Sequence, residues 1–313
     1  MTGPGDLHGL LGDRLEAGRP VGPLTTYKVG GPARWFATVI SVGELVALAR
    51  TRAGAPVLVV GRGSNLLVCD AGFDGVAVQL GEPFAEVHVV AGAHTVVAGG
   101  AASLPVVARR TVAAGLTGFE WAVGVPGSIG GAVRMNAGGH GADIAASLLG
   151  VRLVDLATGE DVAVPAADLD LAYRSSAVRD DQVVVEASLG RGRGDPAAGE
   201  AQLPEIVRWR REHQPGGQNA GSVFTNPPDD SAGRLIDAAG CRGLRVGTAE
   251  VSTKRANFIQ ADAGGSADDV FRLMVRVARR VRDVHGVDLH PETRLVGFPP
   301  FAAAVDDDGG EAP

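Results

Sequence analysis

The 313-residue chain is 45% apolar and 21% charged, long enough for two or three compact units around a substantial buried core. Its net charge of −7 excludes a broad basic surface, so neither nucleic acid nor an anionic membrane is an expected partner. Cys69 and Cys241 are the only cysteines and form no CxxC pair, which excludes a disulfide framework and a thiolate metal site.

Residues 1–20 read as a mobile lead-in without a basic start and long apolar run, and a cytoplasmic protein is expected. Ser41 and Glu44 have the spacing of a capping box, which predicts a helix through Ala47 that stops near Gly54. A short apolar strand over 56–60 runs into the glycine-rich GRGSN segment, and a second run, 66–68, leaves it. A turn pinned between extended segments in this way can point its backbone N–H groups at an anion. Ser103 is placed to cap the next helix, to about Gly115. A second glycine-rich segment, GVPGSIGGAVRMNAGG, spans 124–139, and extended runs follow at 151–156 and 183–189.

RGRGDPAAGE, residues 191–200, has the composition of a linker, and a helix with apolar Leu203, Ile206, Val207 and Trp209 follows it. This predicts one domain over 21–192, in two lobes of about 21–90 and 91–192, and a smaller one over 193–300. Ser266 and Asp269 open the clearest helix. Its apolar residues Val270, Phe271, Met274, Val277, Ala278, Val281 and Val284 fall at helical spacing before Gly286, as a core stripe does. Residues 301–313, with three consecutive aspartates after Val305, read as a disordered tail.

Two glycine-rich loops suggest close approach of backbone to a large ligand, plain turns being the other reading. Neither loop matches GxxxxGK[ST], and no GxGxxG occurs, so a P-loop and a Rossmann unit are unsupported. Ser222, in GSVFTNP (221–227), is either an ordinary turn residue or a proton donor. No GxSxG elbow surrounds it, which argues against a serine hydrolase.

TTYKVGG (25–31), GRGSNLLV (61–68), the 124–139 segment, AYRSS (172–176), GSVFTNP and PETRLVG (291–297) occur together, in this order. In these motifs the chain resembles the UDP-N-acetylenolpyruvoylglucosamine reductase family over about residues 25–298. The resemblance implies an α+β fold, with a two-lobed FAD-binding domain of the vanillyl-alcohol-oxidase type followed by an α+β substrate domain. It implies NADPH as reductant, a UDP-sugar as substrate, non-covalent FAD and a monomer. Hydride would pass to C3 of an enolpyruvyl group, with protonation at C2. Arg174, Ser222 and Glu292 match the family's catalytic positions, Ser222 as the proton donor. Arg174 would meet the substrate carboxylate, which a planar guanidinium suits. Gly61, Arg62, Gly63, Ser64, Asn65 and Leu66 would embrace the FAD pyrophosphate. Gly124, Pro126, Gly127, Ser128, Gly131, Ala132, Asn136, Ala137, Gly138 and Ile144 would line the rest of the cofactor. Tyr173, His213, Gly221 and Asn226 would contact substrate. Another FAD oxidoreductase, acting on a different sugar or alcohol, is the alternative.

The chain departs from the family pattern at three positions. His213 and Thr225 stand where lysines are usual, and His140 replaces a tyrosine. An imidazole at 213 predicts weaker or more pH-dependent substrate binding. The short spacing from Arg174 to Ser222 implies the subclass that lacks an additional tyrosine loop over the substrate.

Overall fold

The computed structural model describes residues 4–52, 54–190 and 192–307. Eight helices lie in these residues: α1 Pro4–Leu11, α2 Val42–Thr51, α3 Leu104–Ala113, α4 Ile129–Arg134, α5 Pro196–His213, α6 Ala232–Ala238, α7 Ala267–His285 and α8 Phe301–Asp306. None of the described helices is long and apolar enough to cross a membrane. The chain divides into two compact units, neither continuous in sequence. One takes the chain up to Arg19, Arg34–Arg62 and Asp74–Glu212. The other takes Pro20–Ala33, Gly63–Phe73 and the chain from His213.

The first unit is built on two sheets. A four-stranded sheet has the order Leu15–Pro20, Pro32–Val39, Phe73–Leu80, Val57–Val59, the last pair parallel. A five-stranded sheet runs Asp161–Pro165, Leu148–Asp155, Gln182–Gly190, Thr95–Gly99, Val87–Val90, antiparallel throughout. The Ser41 cap forms as expected: its Oγ accepts the Glu44 N–H at 3.2 Å, and the Glu44 carboxylate accepts the N–H of Ile40 at 2.8 Å. Ser103 precedes α3 without making a side-chain cap.

Residues 4–20, read as a lead-in, are instead a helix and a strand. Leu7, Leu11 and Leu15 recur at every fourth position and are buried with Leu45, Val78 and Val154. The expected linker also differs: α5 begins within it. Pro196 takes the first helical position, where its missing N–H costs nothing, and Gly199 is buried where a Cβ would lie 2.7 Å from Val112. Residues that read as breakers serve here as a helix start and a close-packing face.

In the second unit, Arg245–Val246, Ala249–Val251 and Ile259–Ala261 form an antiparallel sheet beside α7. Ser266 Oγ accepts the Asp269 N–H at 3.1 Å to open α7, and Gly286 closes it at φ 67°. Val270, Phe271, Met274, Val277, Ala278 and Val281 are buried together, and the larger of these side chains each contribute about 1.5–3 kcal/mol by leaving water. Val284 departs from the expected stripe and is 55% exposed, because it lies in the last turn beyond the packed face. The tail reading is corrected at its start: Phe301–Asp306 is helical and Val305 is buried in this core. Residues 308–313 lie outside the described residues.

Candidate active site

In the first unit the two glycine-rich segments meet. A Cβ on Gly61 would lie 2.7 Å from Ser128 Oγ, so a larger residue there would have to displace the serine hydroxyl. The second segment is anchored through its main chain. Leu104 N–H donates to the Gly127 carbonyl at 3.0 Å, Ile129 N–H to Ala102 at 2.9 Å and Gly130 N–H to Gly100 at 2.8 Å. Ser128, Ala132, Asn136 and Ile144 are buried, and Ala132 and Ile144 belong to the apolar core. Their side chains hold the segment's shape, while Pro126 and Gly131 lie exposed. Gly138 opens a tight hairpin, with its N-terminal neighbour Ala137 accepting from Ile144 N–H at 3.0 Å.

Arg174 sits in a two-residue loop closed by reciprocal bonds of 3.1 Å between Ala172 and Ser175. Its φ of 56° is left-handed, a conformation that costs a non-glycine residue about 1–2 kcal/mol. Asn136 Nδ2 fixes the loop by donating to the Ala172 carbonyl at 2.9 Å. The guanidinium lies over the Tyr173 ring at 5.0 Å and reaches the carbonyls of Asn136 at 3.5 Å and Gly138 at 3.3 Å. Arg174 therefore joins the glycine-rich segment directly, and Tyr173 stays 56% exposed.

Helix α5 supplies a contact that the sequence reading did not single out. Arg210 donates to the Gly124 carbonyl, Trp209 meets His140 edge-on at 4.9 Å, and a Cβ on Gly124 would lie 3.0 Å from Ile206. Burial pushes the Arg210 pKa down. Nothing local in the RWRRE tract, residues 208–212, says which of its arginines turns inward.

In the second unit, Gly63 (φ 61°) packs so closely on residues 24–25 that a Cβ would lie 2.5 Å from the Leu24 carbonyl oxygen. Thr26 N–H donates to the Gly63 carbonyl at 3.0 Å. Asn65 Nδ2 donates to the Glu292 carbonyl at 2.9 Å, Arg294 N–H donates to the Asn65 carbonyl at 3.0 Å, and from there Leu66–Val68 pairs in parallel with Arg294–Val296. Ser222 follows Gly221 (φ 81°). Val223 carbonyl accepts from Glu292 N–H at 2.8 Å and Thr293 N–H at 3.3 Å, which brings Ser222 and Glu292 onto neighbouring segments. Asn257 fixes this geometry by bonding both ways with Phe224. Asn226 Oδ1 accepts from Ala232 N–H at 3.1 Å, at the start of α6. His213 ends α5, exposed. Arg174, Gly61, Arg62 and the 124–138 segment thus belong to the first unit, and Gly63, Ser64, Asn65, Leu66, Ser222 and Glu292 to the second.

Residues 35–164 match the profile of an FAD binding domain, and residues 213–296 match that of the UDP-N-acetylenolpyruvoylglucosamine reductase C-terminal domain. The UDP-N-acetylenolpyruvoylglucosamine reductase of Paramagnetospirillum magneticum is 41% identical over 91% of this chain and 92% of its own length. The chain belongs to the UDP-N-acetylenolpyruvoylglucosamine reductase family.

The like-named protein of Rubrobacter xylanophilus is 40% identical over 90% of this chain and 94% of its own. The crystal structure of the Thermus caldophilus reductase superposes with a TM-score of 0.77, at 32% identity over 90% of this chain and 98% of that one. Family membership makes the chain an FAD-dependent oxidoreductase with the α+β architecture read from its motifs. The residues fit the cofactor. Gly63 leaves no space for a Cβ against residues 24–25, and Thr26 Oγ1 is buried without a hydrogen-bond partner in the structure.

Proposed function

We propose that this protein reduces UDP-N-acetylglucosamine enolpyruvate to UDP-N-acetylmuramate with NADPH, as a cytoplasmic step of peptidoglycan precursor synthesis. The observation that supports this reading is the bond of 2.8 Å from Glu292 N–H to the Val223 carbonyl, which joins the segments that carry the family's serine and glutamate motifs. Bound FAD would supply the hydride chemistry, with NADPH as the source and C3 of the enolpyruvyl group as the acceptor. The family motifs assign to the cofactor Gly61 and the 124–138 segment of the first unit and the main chain of Gly63 to Leu66 of the second.

Hydride addition turns the substrate CH2 into CH3 and leaves an electron pair shared between C2 and the carboxylate. Arg174 stabilises that charge through paired N–H donors, and its imposed backbone conformation aims the guanidinium before substrate arrives. Ser222 gives its hydroxyl proton to C2 and regains one from solvent. A serine hydroxyl is a weak acid, so the transfer depends on proximity to a strongly basic carbon. Glu292 orients the substrate carboxylate or the serine hydroxyl by hydrogen bonding.

The test is a pair of half-reactions. Ser222→Ala is expected to bleach normally with NADPH but to be reoxidised by the enolpyruvyl substrate at least about a hundredfold more slowly. A wild-type flavin reoxidised only by oxygen would sink this reading in favour of an oxidase of another sugar or alcohol.

A further inference from the structure

Tyr27 is fully buried, and the mechanism above leaves it unused. It packs with Ala220 and Val223, on the segment that carries Ser222. Its hydroxyl faces the Thr293 side chain and the Ala220 backbone. Thr293, 3% exposed, is the residue after Glu292, and its own N–H donates to the Val223 carbonyl at 3.3 Å. Neither the Tyr27 hydroxyl nor Thr293 Oγ1 closes a direct hydrogen bond, although both are buried. Two buried hydroxyls facing each other in this way would each carry the cost of an unmade bond unless they share one. Residues 26 and 31 continue the network: Thr26 N–H donates to the Gly63 carbonyl and Gly31 N–H to the Cys69 carbonyl, both at 3.0 Å. The 25–31 segment thus touches the glycine-rich turn, the serine segment and the glutamate segment within one unit.

We propose that Tyr27 is a positioning residue whose hydroxyl, facing the Thr293 side chain, fixes the Ser222 segment against the segment bearing Glu292. The inference rests on the function proposed above, because it assigns those two residues to the step that follows hydride arrival. A phenylalanine would fill the same apolar space and leave the two segments in contact but unlocked. The phenol pKa is raised by burial despite these neighbours, so the group stays a neutral hydroxyl able to hydrogen-bond.

Tyr27→Phe, Thr293→Val and the double variant are compared with the wild-type holoenzyme in the two half-reactions and by thermal melting. Each single variant is expected to slow flavin reoxidation by the enolpyruvyl substrate about tenfold while NADPH bleaching stays within about twofold, and the double variant is expected to be no slower than either single. Additive losses in the double variant, reoxidation of Tyr27→Phe at the wild-type rate, or equal slowing of both half-reactions in step with a lowered Tm would each overturn the proposal. Thr293→Val carries the test alone if Tyr27→Phe fails to fold. A wild-type enzyme that the substrate does not reoxidise at all counts instead against the proposed function, and takes this role down with it.

Discussion

The side chain of Asn65 and the main chain of Glu292, 227 positions apart in sequence, are joined by a hydrogen bond of 2.9 Å. Asn65 lies in the glycine-rich turn and Glu292 in the last motif of the chain, so one carboxamide ties a cofactor loop to a proposed catalytic residue. Asn65→Ala is expected to cost about 1–3 kcal/mol, because the Glu292 carbonyl loses its donor. A lowered flavin-to-protein ratio together with a slower turnover, measured on the same preparation, checks it.

Gly63→Ala should be worse than its size suggests. A Cβ there collides with the Leu24 carbonyl at 2.5 Å, and φ is 61°. Flavin retention on gel filtration is expected to fall sharply. Gly9→Ala in α1, where nothing lies within 4 Å, is expected to stabilise the protein by up to about 1 kcal/mol and to leave flavin content unchanged.

Arg174→Gly separates strain from chemistry. Glycine accepts a φ of 56° freely, so Tm is expected not to fall, while turnover falls at least about a hundredfold for want of the guanidinium. A large drop in Tm would show that the side chain, with its bonds to the Asn136 and Gly138 carbonyls, is mainly structural.

Stability should fail on the acid side. Burial alone would raise the Asp269 pKa, but hydrogen bonds from the Thr248 N–H and hydroxyl, at 2.8 and 2.7 Å, and the Arg272 ion pair hold it below its ordinary value. A depressed folded-state pKa gives stability that is complete above the unfolded value, about 3.9, and is lost as pH falls through the folded one. Tm is therefore expected to be flat down to about pH 5 and to drop below about pH 4. Asp269→Asn should lower Tm at neutral pH and flatten the fall.

His213→Lys restores a permanent charge at the end of α5 and is expected to lower the KM for the nucleotide substrate with little change in kcat. Steady-state kinetics of the variant beside the wild type check it.

Helix α7 and the serine turn were legible because their signals are local: a cap, a period and a glycine within twenty residues. Within the second unit, the GRGSNLLV, GSVFTNP and PETRLVG motifs marked segments that are hydrogen-bonded to one another. Arg210 was not legible, because its inward turn depends on Gly124, 86 positions away. Helix α1 was missed since three leucines spaced by four mean little without the sheet that buries them. The linker reading failed because Pro and Gly signal breaks only where no neighbour needs a first helical residue or a flat face.

Strand Leu66–Val68 is the partner of Arg294–Val296, and Tyr27, Val29 and Leu67 fill the core around α7. A fragment starting at His213 would lose that partner strand and a wedge of its interior. No single cut in the gene releases both units whole, so the protein cannot be re-engineered by simple end-to-end exchange of modules. Recombination partners would have to be matched at residues 20–33 and 63–73 as well as at the obvious joint.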